Sequence, residues 1–285
     1  MSVSVTFWGT RGTIPTPGPQ TARYGGNTAC VEVTDSRGNL VILDAGTGIR
    51  SLGRKLAGNG ELSADIFLSH AHWDHIQGLP YFAPLFRKGN HIRVWGPKQG
   101  DVEMETVLRQ LMQPVTFPVP LDALAAKLEI EHVNDEPVKT PGFAVGSMRV
   151  RHPAVTVGYK LRWQPDRTLV YVTDNELGPA GKYDVGPNWR AEFLEFIGEC
   201  ELLVHDAMYT PEELPSHAGW GHSTYEEAVQ LAHEAGARRL ALFHHEPEHG
   251  DREMDRVVDR ARQYATKLGG RLEVFAASEG MTLEI

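Results

Sequence analysis

Any fold for this chain has to accommodate six residues, His70, Ala71, His72, Trp73, Asp74 and His75, the pattern H-x-H-x-D-H, set directly after the apolar run Ile66, Phe67, Leu68. Four potential metal ligands crowd the end of an apolar, strand-like run, so the fold must bring a strand terminus to a polar cavity. Side chains two apart on an extended segment leave the same face, so His70 and His72 can converge on one ion while Asp74 and His75 serve a second. Neutral imidazole and carboxylate suit zinc, manganese or iron rather than calcium, and a site without thiolates is more typical of catalysis than of structural zinc.

The chain has 285 residues, 41% of them apolar, which is ample for a sizeable core and reads as a single soluble, globular domain over residues 1–285. The N-terminus runs straight into the alternation Val3, Val5, Phe7, and no run of 18 apolar residues occurs, which points to the cytoplasm and away from a membrane. Cys30 and Cys200 are both flanked by core-like residues and read as buried thiols. A net charge of −9 disfavours a long polyanionic partner such as tRNA or duplex DNA. A small phosphorylated substrate is compatible with that charge, because a metal centre supplies its own positive potential.

Strand-like runs recur at residues 3–7, 29–33, 40–43, 65–68 and 91–95, then at 128–133, 144–151, 158–163, 168–173, 201–204, 239–243 and 271–275. Helical periodicity appears over 47–56, 102–112, 189–197, 224–234 and 253–268, with Ser223 and Glu226 forming a capping-box pattern at one start. Two sheets with helices outside fit this order. The segments 113–121 and 137–142 read as joints rather than domain linkers.

Three further strand ends carry ligand-type residues. The run ending in Arg151 delivers His152 and is stopped by Pro153; the run 169–172 ends in Thr173, Asp174, Asn175; and the run 239–243 ends in His244, His245, Glu246. One residue of the His244/His245 pair is expected to be a ligand. Together with the H-x-H-x-D-H turn, these ends supply the seven ligands that a two-metal site needs.

The chain resembles the metallo-β-lactamase-fold hydrolases, and within them the ribonuclease Z and cyclic-nucleotide phosphodiesterase branch. The resemblance spans nearly the whole chain through FWGTRGT (7–13), VILDAGTG (41–48), LSHAHWDHIQG (68–78), HPAVTVGY (152–159), VYVTD (170–174), LLVHDA (202–207), GHST (221–224) and LALFH (240–244). It implies an α/β (α+β) fold, a four-layer αβ/βα sandwich of two mixed sheets with metals at one edge. It also implies that His70, His72 and His152 hold one metal, that Asp74, His75 and His244 hold the other, and that Asp174 bridges both; His245 falls one place past the family's ligand position. GHST matches a motif that, in the ribonuclease Z branch, places a histidine near the scissile phosphate, paired with an acid. Here the pair is His222 and Asp206, an Asp where the family has Glu, so the acid is shorter by one methylene.

Two divalent ions about 3.5 to 4 Å apart can make a bridging hydroxide at neutral pH and clamp a phosphodiester during in-line displacement. A histidine oriented by a carboxylate suits protonation of the departing alkoxide, a role assigned to His222 with Asp206. The catalytic candidates are therefore Asp74, His222 and Asp206, and the substrate-binding candidates are Asn27 in the N-terminal loop and Trp73 and Trp220, whose faces can stack a base. The expected cofactors are two divalent ions, zinc first, with manganese or iron acceptable. The expected substrate is a small phosphodiester, a cyclic nucleotide before any long nucleic acid, and a homodimer fits the resemblance. The same fold also hosts hydrolases of lactones, β-lactams and thioesters, as well as non-hydrolytic small-molecule binders.

Overall fold

Runs such as Leu40, Val41, Ile42, Leu43 and Leu169, Val170, Tyr171, Val172 are apolar at every position, so strands made from them need cover on both faces. The computed structural model, which describes residues 2–58, 60–134, 136–178 and 181–285, supplies that cover with two stacked mixed sheets and helices on both outer sides. In the first sheet β1 (Val3–Gly9), β2 (Cys30–Asp35), β3 (Leu40–Leu43), β4 (Ser63–Phe67), β5 (His91–Gly96) and β6 (Lys127–His132) lie side by side in chain order. In the second, β7 (Val138–Thr140), β8 (Phe143–Arg149), β9 (Val157–Gln164), β10 (Arg167–Val172), β11 (Leu202–Asp206), β12 (Arg239–Phe243) and β13 (Glu273–Ala276) do the same. The chain closes with β14 (Thr282–Glu284), antiparallel to β1.

Each sheet is antiparallel on one side and parallel on the other: β3 to β6 are parallel in the first, β10 to β13 in the second. The period of two along each strand sorts side chains into layers. On β10, Leu169 and Tyr171 face the core between the sheets, while Val170 and Val172 face the helices α4 (Trp189–Ile197), α6 (Tyr225–Ala235) and α7 (Asp251–Leu268). On the far side Ile42, Ile66, Ile92 and Val94 pack under α1 (Ile49–Leu56) and α3 (Met104–Leu111). No helix among the described residues is long and apolar enough to cross a membrane.

Two antiparallel steps restore strand direction, so β1 runs with β3 and β4, and β8 runs with β10, β11 and β12. Their C-terminal ends are the two sheet edges that carry the ligand-type residues, the usual ligand-binding side of an open α/β sheet.

The structure departs from the sequence reading in five places. The segment 137–142, read as a joint, contains β7, and β14 went unread; both are three-residue edge strands with too little apolar sequence to show a period. Two four-residue helices, α2 (Trp73–Ile76) and α5 (Leu214–His217), are also too short for periodicity. The capping box of α6 lies one residue later than expected: Thr224 is the N-cap, its Oγ1 accepts from Glu227 N and its own N–H donates to the Glu227 carboxylate. Ser223 is not free to cap, because its Oγ donates to the Asn175 carbonyl at 2.5 Å. Thr224→Ala is expected to lower the unfolding free energy by about 1 kcal/mol in urea titration, and Ser223→Ala is not expected to act through the cap.

Candidate metal centre

The candidate ligands are delivered by strand ends. Beyond β4 the chain stays extended through His70 to His72, which has φ −65° and ψ 151° and caps α2. Asp74 and His75 then lie on a helical turn rather than on a continued extended segment, with the His75 ring packed 4.3 Å from that of His70. The ends of β8, β10 and β12 bring in His152, Asp174 and His244, while Asp206 closes β11 and His222 stands just before α6.

Seven of these side chains form two sets that share Asp174, and Asp206 and His222 form a third grouping with Asp174 and His244. In one set, His70, His72, His152 and Asp174 each offer a donor atom, and all four atoms lie within 4.8 Å of one another; Asp74, His75, Asp174 and His244 form the other set in the same way. Asp174 Oδ2 is 3.6 Å from Nε2 of both His70 and His152, and Oδ1 is 3.1 Å from Nε2 of both His75 and His244. Asp74 Oδ2 lies 3.1 Å from His75 Nε2 and 3.2 Å from His244 Nε2. Yet the buried Nε2 atoms of His70 and His75 make no hydrogen bond. Two orphaned ring nitrogens converging with imidazoles and carboxylate oxygens mark a donor set for divalent cations, although His244 Nε2 and Asp74 Oδ2 lie within hydrogen-bond distance of each other, and seven N/O donors with no thiolate fit two cations.

The electrostatics agree. Burial would raise the Asp174 carboxyl, but the imidazoles of His244, His75 and His70 hold it well below the carboxylate range. Burial would lower His75, but Asp74, Asp174 and Asp44 push it well above the ordinary imidazole value, so three carboxylates around one ring call for positive charge. Burial lowers His70 strongly and His152 to about 4, which keeps both neutral and able to donate a lone pair.

The rings are aimed by a second layer that sequence reasoning missed. Asp44, just beyond β3, accepts from His75 Nδ1 at 2.8 Å, from Ser69 N and Oγ, and from the Tyr171 hydroxyl at 2.7 Å. Ser69 Oγ in turn lies 3.0 Å from His70 Nδ1. With Nδ1 engaged, each ring presents Nε2 inward. Likewise His152 Nδ1 donates to the Gly221 carbonyl at 3.1 Å, and Thr13 N donates to Asp74 Oδ2 at 2.8 Å. Two glycines give the rings room: a Cβ on Gly12 would lie 2.4 Å from the His244 ring, and one on Gly221, at φ +91°, would lie 2.2 Å from His152 Nδ1. The VILDAGTG and FWGTRGT segments were the only signals pointing to Asp44 and Gly12.

His222 and Asp206 form a direct pair, Nδ1 to Oδ2 at 2.6 Å, so the shorter acid needs no bridging water. Asp206 Oδ1 accepts from Met208 N and Ser223 N, which fixes the carboxylate. Burial would lower His222, but Asp206 overrides it and the ring is raised to about 9. The His222 ring stacks on His244 at 5.0 Å, beside the second set.

The other candidates fall differently. His245 is outside both sets: its Nε2 donates to the Ala277 carbonyl, and burial followed by the Arg11 charge drives it down to about 3. Asn27, the expected substrate contact, is engaged within its own loop. Its amide donates to Glu279 and its carbonyl accepts from Thr10 N and Arg11 N, so it supports the loop. Trp73 and Trp220 are 78% and 60% exposed, each next to or near a site residue in sequence, and neither serves the core.

Residues 39–245 match the family described as the β-lactamase superfamily domain. A ribonuclease Z from Halobacterium salinarum (strain ATCC 29341 / DSM 671 / R1) is 27% identical over 327 aligned positions, covering 100% of this chain and 98% of the relative. Among solved structures, unliganded yeast PDE1 superposes with a TM-score of 0.71 at 15% identity, covering 99% of each chain. The metallo-β-lactamase fold protein YhfI from Bacillus subtilis superposes with a TM-score of 0.69 at 19% identity over 100% of both chains.

Gly12→Ala, whose Cβ would lie 2.4 Å from the His244 ring and 3.0 Å from its Nε2 and so force the ring to shift, is expected to weaken retention of one of two cations by about tenfold or more. Chelator competition followed by elemental analysis measures this, and two equally tight cations in the variant would contradict it.

Proposed function

The chain belongs to the β-lactamase superfamily and is a metal-dependent hydrolase of ester bonds, and from that premise we propose that it cleaves small phosphodiesters, a cyclic nucleotide being the first candidate. It works as a single domain in the cytoplasm, a setting supported by the two buried, unpaired thiols Cys30 and Cys200. His70, His72, His152 and Asp174 hold one cation and Asp74, His75, His244 and Asp174 the other, zinc before manganese or iron. When bound, the cations supply Lewis-acid charge and a nucleophile at neutral pH.

The observation that carries the phosphodiester reading is the buried His222–Asp206 pair beside the second set. An alkoxide leaving phosphorus needs a proton, and His222, protonated with Nδ1–H held by Asp206, has Nε2–H left to give. Asp206 fixes the ring and stabilises its positive form. Trp73 and Trp220 stand exposed near the site, where an aromatic face can meet a base.

RNA is a second reading, favoured by the name of the Halobacterium relative. The net charge of −9 weighs against it, since long nucleic acid is held largely through clustered Lys and Arg.

Hydrolysis of bis(p-nitrophenyl) phosphate by metal-loaded protein tests the proposal, with chelator-stripped protein as control. Asp174→Ala is expected to lower the rate by about a thousandfold or more. Bound metal without turnover would move the assignment to carbonyl esters or to a binding role. His222→Ala is expected to cost roughly a hundredfold with alkyl leaving groups and far less with p-nitrophenolate, which needs little protonation; equal losses on both would make His222 a positioning residue.

A further inference from the structure

Aromatic rings continue outward from the buried His222. Tyr209 meets His222 edge-on at 5.9 Å, His217 stacks on Tyr209 at 4.5 Å, and Trp220 meets His217 edge-on at 4.9 Å. The run passes from His222, 8% exposed, through Tyr209 and half-buried His217 to Trp220, 60% exposed. It leads from the proton donor to solvent.

A buried carboxylate holds the loop that carries Trp220. Glu176, 1% exposed, accepts from Gly219 N at 3.0 Å and Gly221 N at 3.0 Å, on either side of Trp220. It also accepts from Gly181 N and from the Tyr183 hydroxyl. The same loop offers the Gly221 carbonyl to His152, so the position of Trp220 is tied to that of a candidate ligand. Charge-assisted bonds to backbone N–H groups make such a loop a fixed surface rather than a free one.

Resting on the phosphodiester reading above, we infer that His217 and Trp220, backed by the buried Tyr209, form a subsite for a planar aromatic or heteroaromatic group attached to the departing oxygen. His222 gives its proton to that oxygen, and the wall begins at His222, so the group borne by the oxygen lies along it. Glu176 is a positioning residue for the wall. Stacking needs a π-face but no particular hydrogen-bond pattern, so the subsite admits any nucleobase or aryl group.

Two diesters that share a leaving group and differ in the retained group test this with metal-loaded protein: bis(p-nitrophenyl) phosphate and methyl p-nitrophenyl phosphate. Trp220→Ala, at an exposed position, is expected to lower kcat/KM about tenfold on both, mostly through KM, with bound metal unchanged and Trp220→Phe restoring most of it. A loss confined to the bis-aryl ester places Trp220 against the retained group and overturns the inference, as does no loss on either. Independently of turnover, the indole N–H resonance of Trp220, identified by its absence in Trp220→Ala, is expected to shift when p-nitrophenol is added, and an unmoved resonance overturns the inference. If neither diester is hydrolysed while that resonance moves, the phosphodiester reading fails and the aromatic subsite stands.

Discussion

The Asp174 carboxylate, 2% exposed, divides its two oxygens between imidazoles brought by different sheets, and the rest of the centre is arranged around it. His70 and His75 arrive from the first sheet, His152 and His244 from the second. They meet only because the core between the sheets sets their separation. Phe7, Leu43 and Phe67 from one sheet interlock with Tyr159, Tyr171 and Phe243 from the other, and stacked sheets keep a spacing of about 10 Å. Tyr159 and Tyr171 do more than fill space, since their hydroxyls donate across to the Leu68 carbonyl and to Asp44. The same layer that buries apolar surface therefore also registers the two halves of the site.

Backbone strain is concentrated at the same place. The non-glycine residues with positive φ among those described are Thr13, Asp44, Asp174 and His244, at 62°, 59°, 39° and 59°. Three are candidate ligands or support them directly, and Thr13 N bonds the Asp74 carboxylate. Left-handed backbone costs on the order of 1–2 kcal/mol for a residue with a Cβ, and β-branched Thr13 is the least suited of the four. Asp44 and His244 directly follow a strand and Asp174 stands two residues past one, so at these three the turn swings a buried side chain off the strand axis. The hydrogen bonds that converge on Asp44 offset part of that strain.

Charge completes the design. Asp44, Asp74, Asp174 and Asp206 are all buried where the edges of the two sheets meet, where so much negative charge is tolerable only beside imidazoles and cations. His222 is drawn toward its charged form by the same field that holds the two sets of donors ready. The proposed proton donor and the two sets of cation donors thus share one electrostatic arrangement.

Local spacing alone made the H-x-H-x-D-H turn legible, because convergence over two residues of extended chain and one helical turn needs no distant partner. Apolar runs located twelve of the strands, and the polar residues that end them marked His152, Asp174 and the His244/His245 pair. Tertiary structure decided what depends on the stacking of the sheets: that His244 and not His245 turns inward, that Asp44 fixes His75, that Glu176 holds the Trp220 loop, and that Thr224 caps α6 while Ser223 serves Asn175. Periodicity reports which face of a strand is buried against its neighbours. Which atoms meet across a cavity is set by the twist, register and separation of two sheets, and no single segment encodes those.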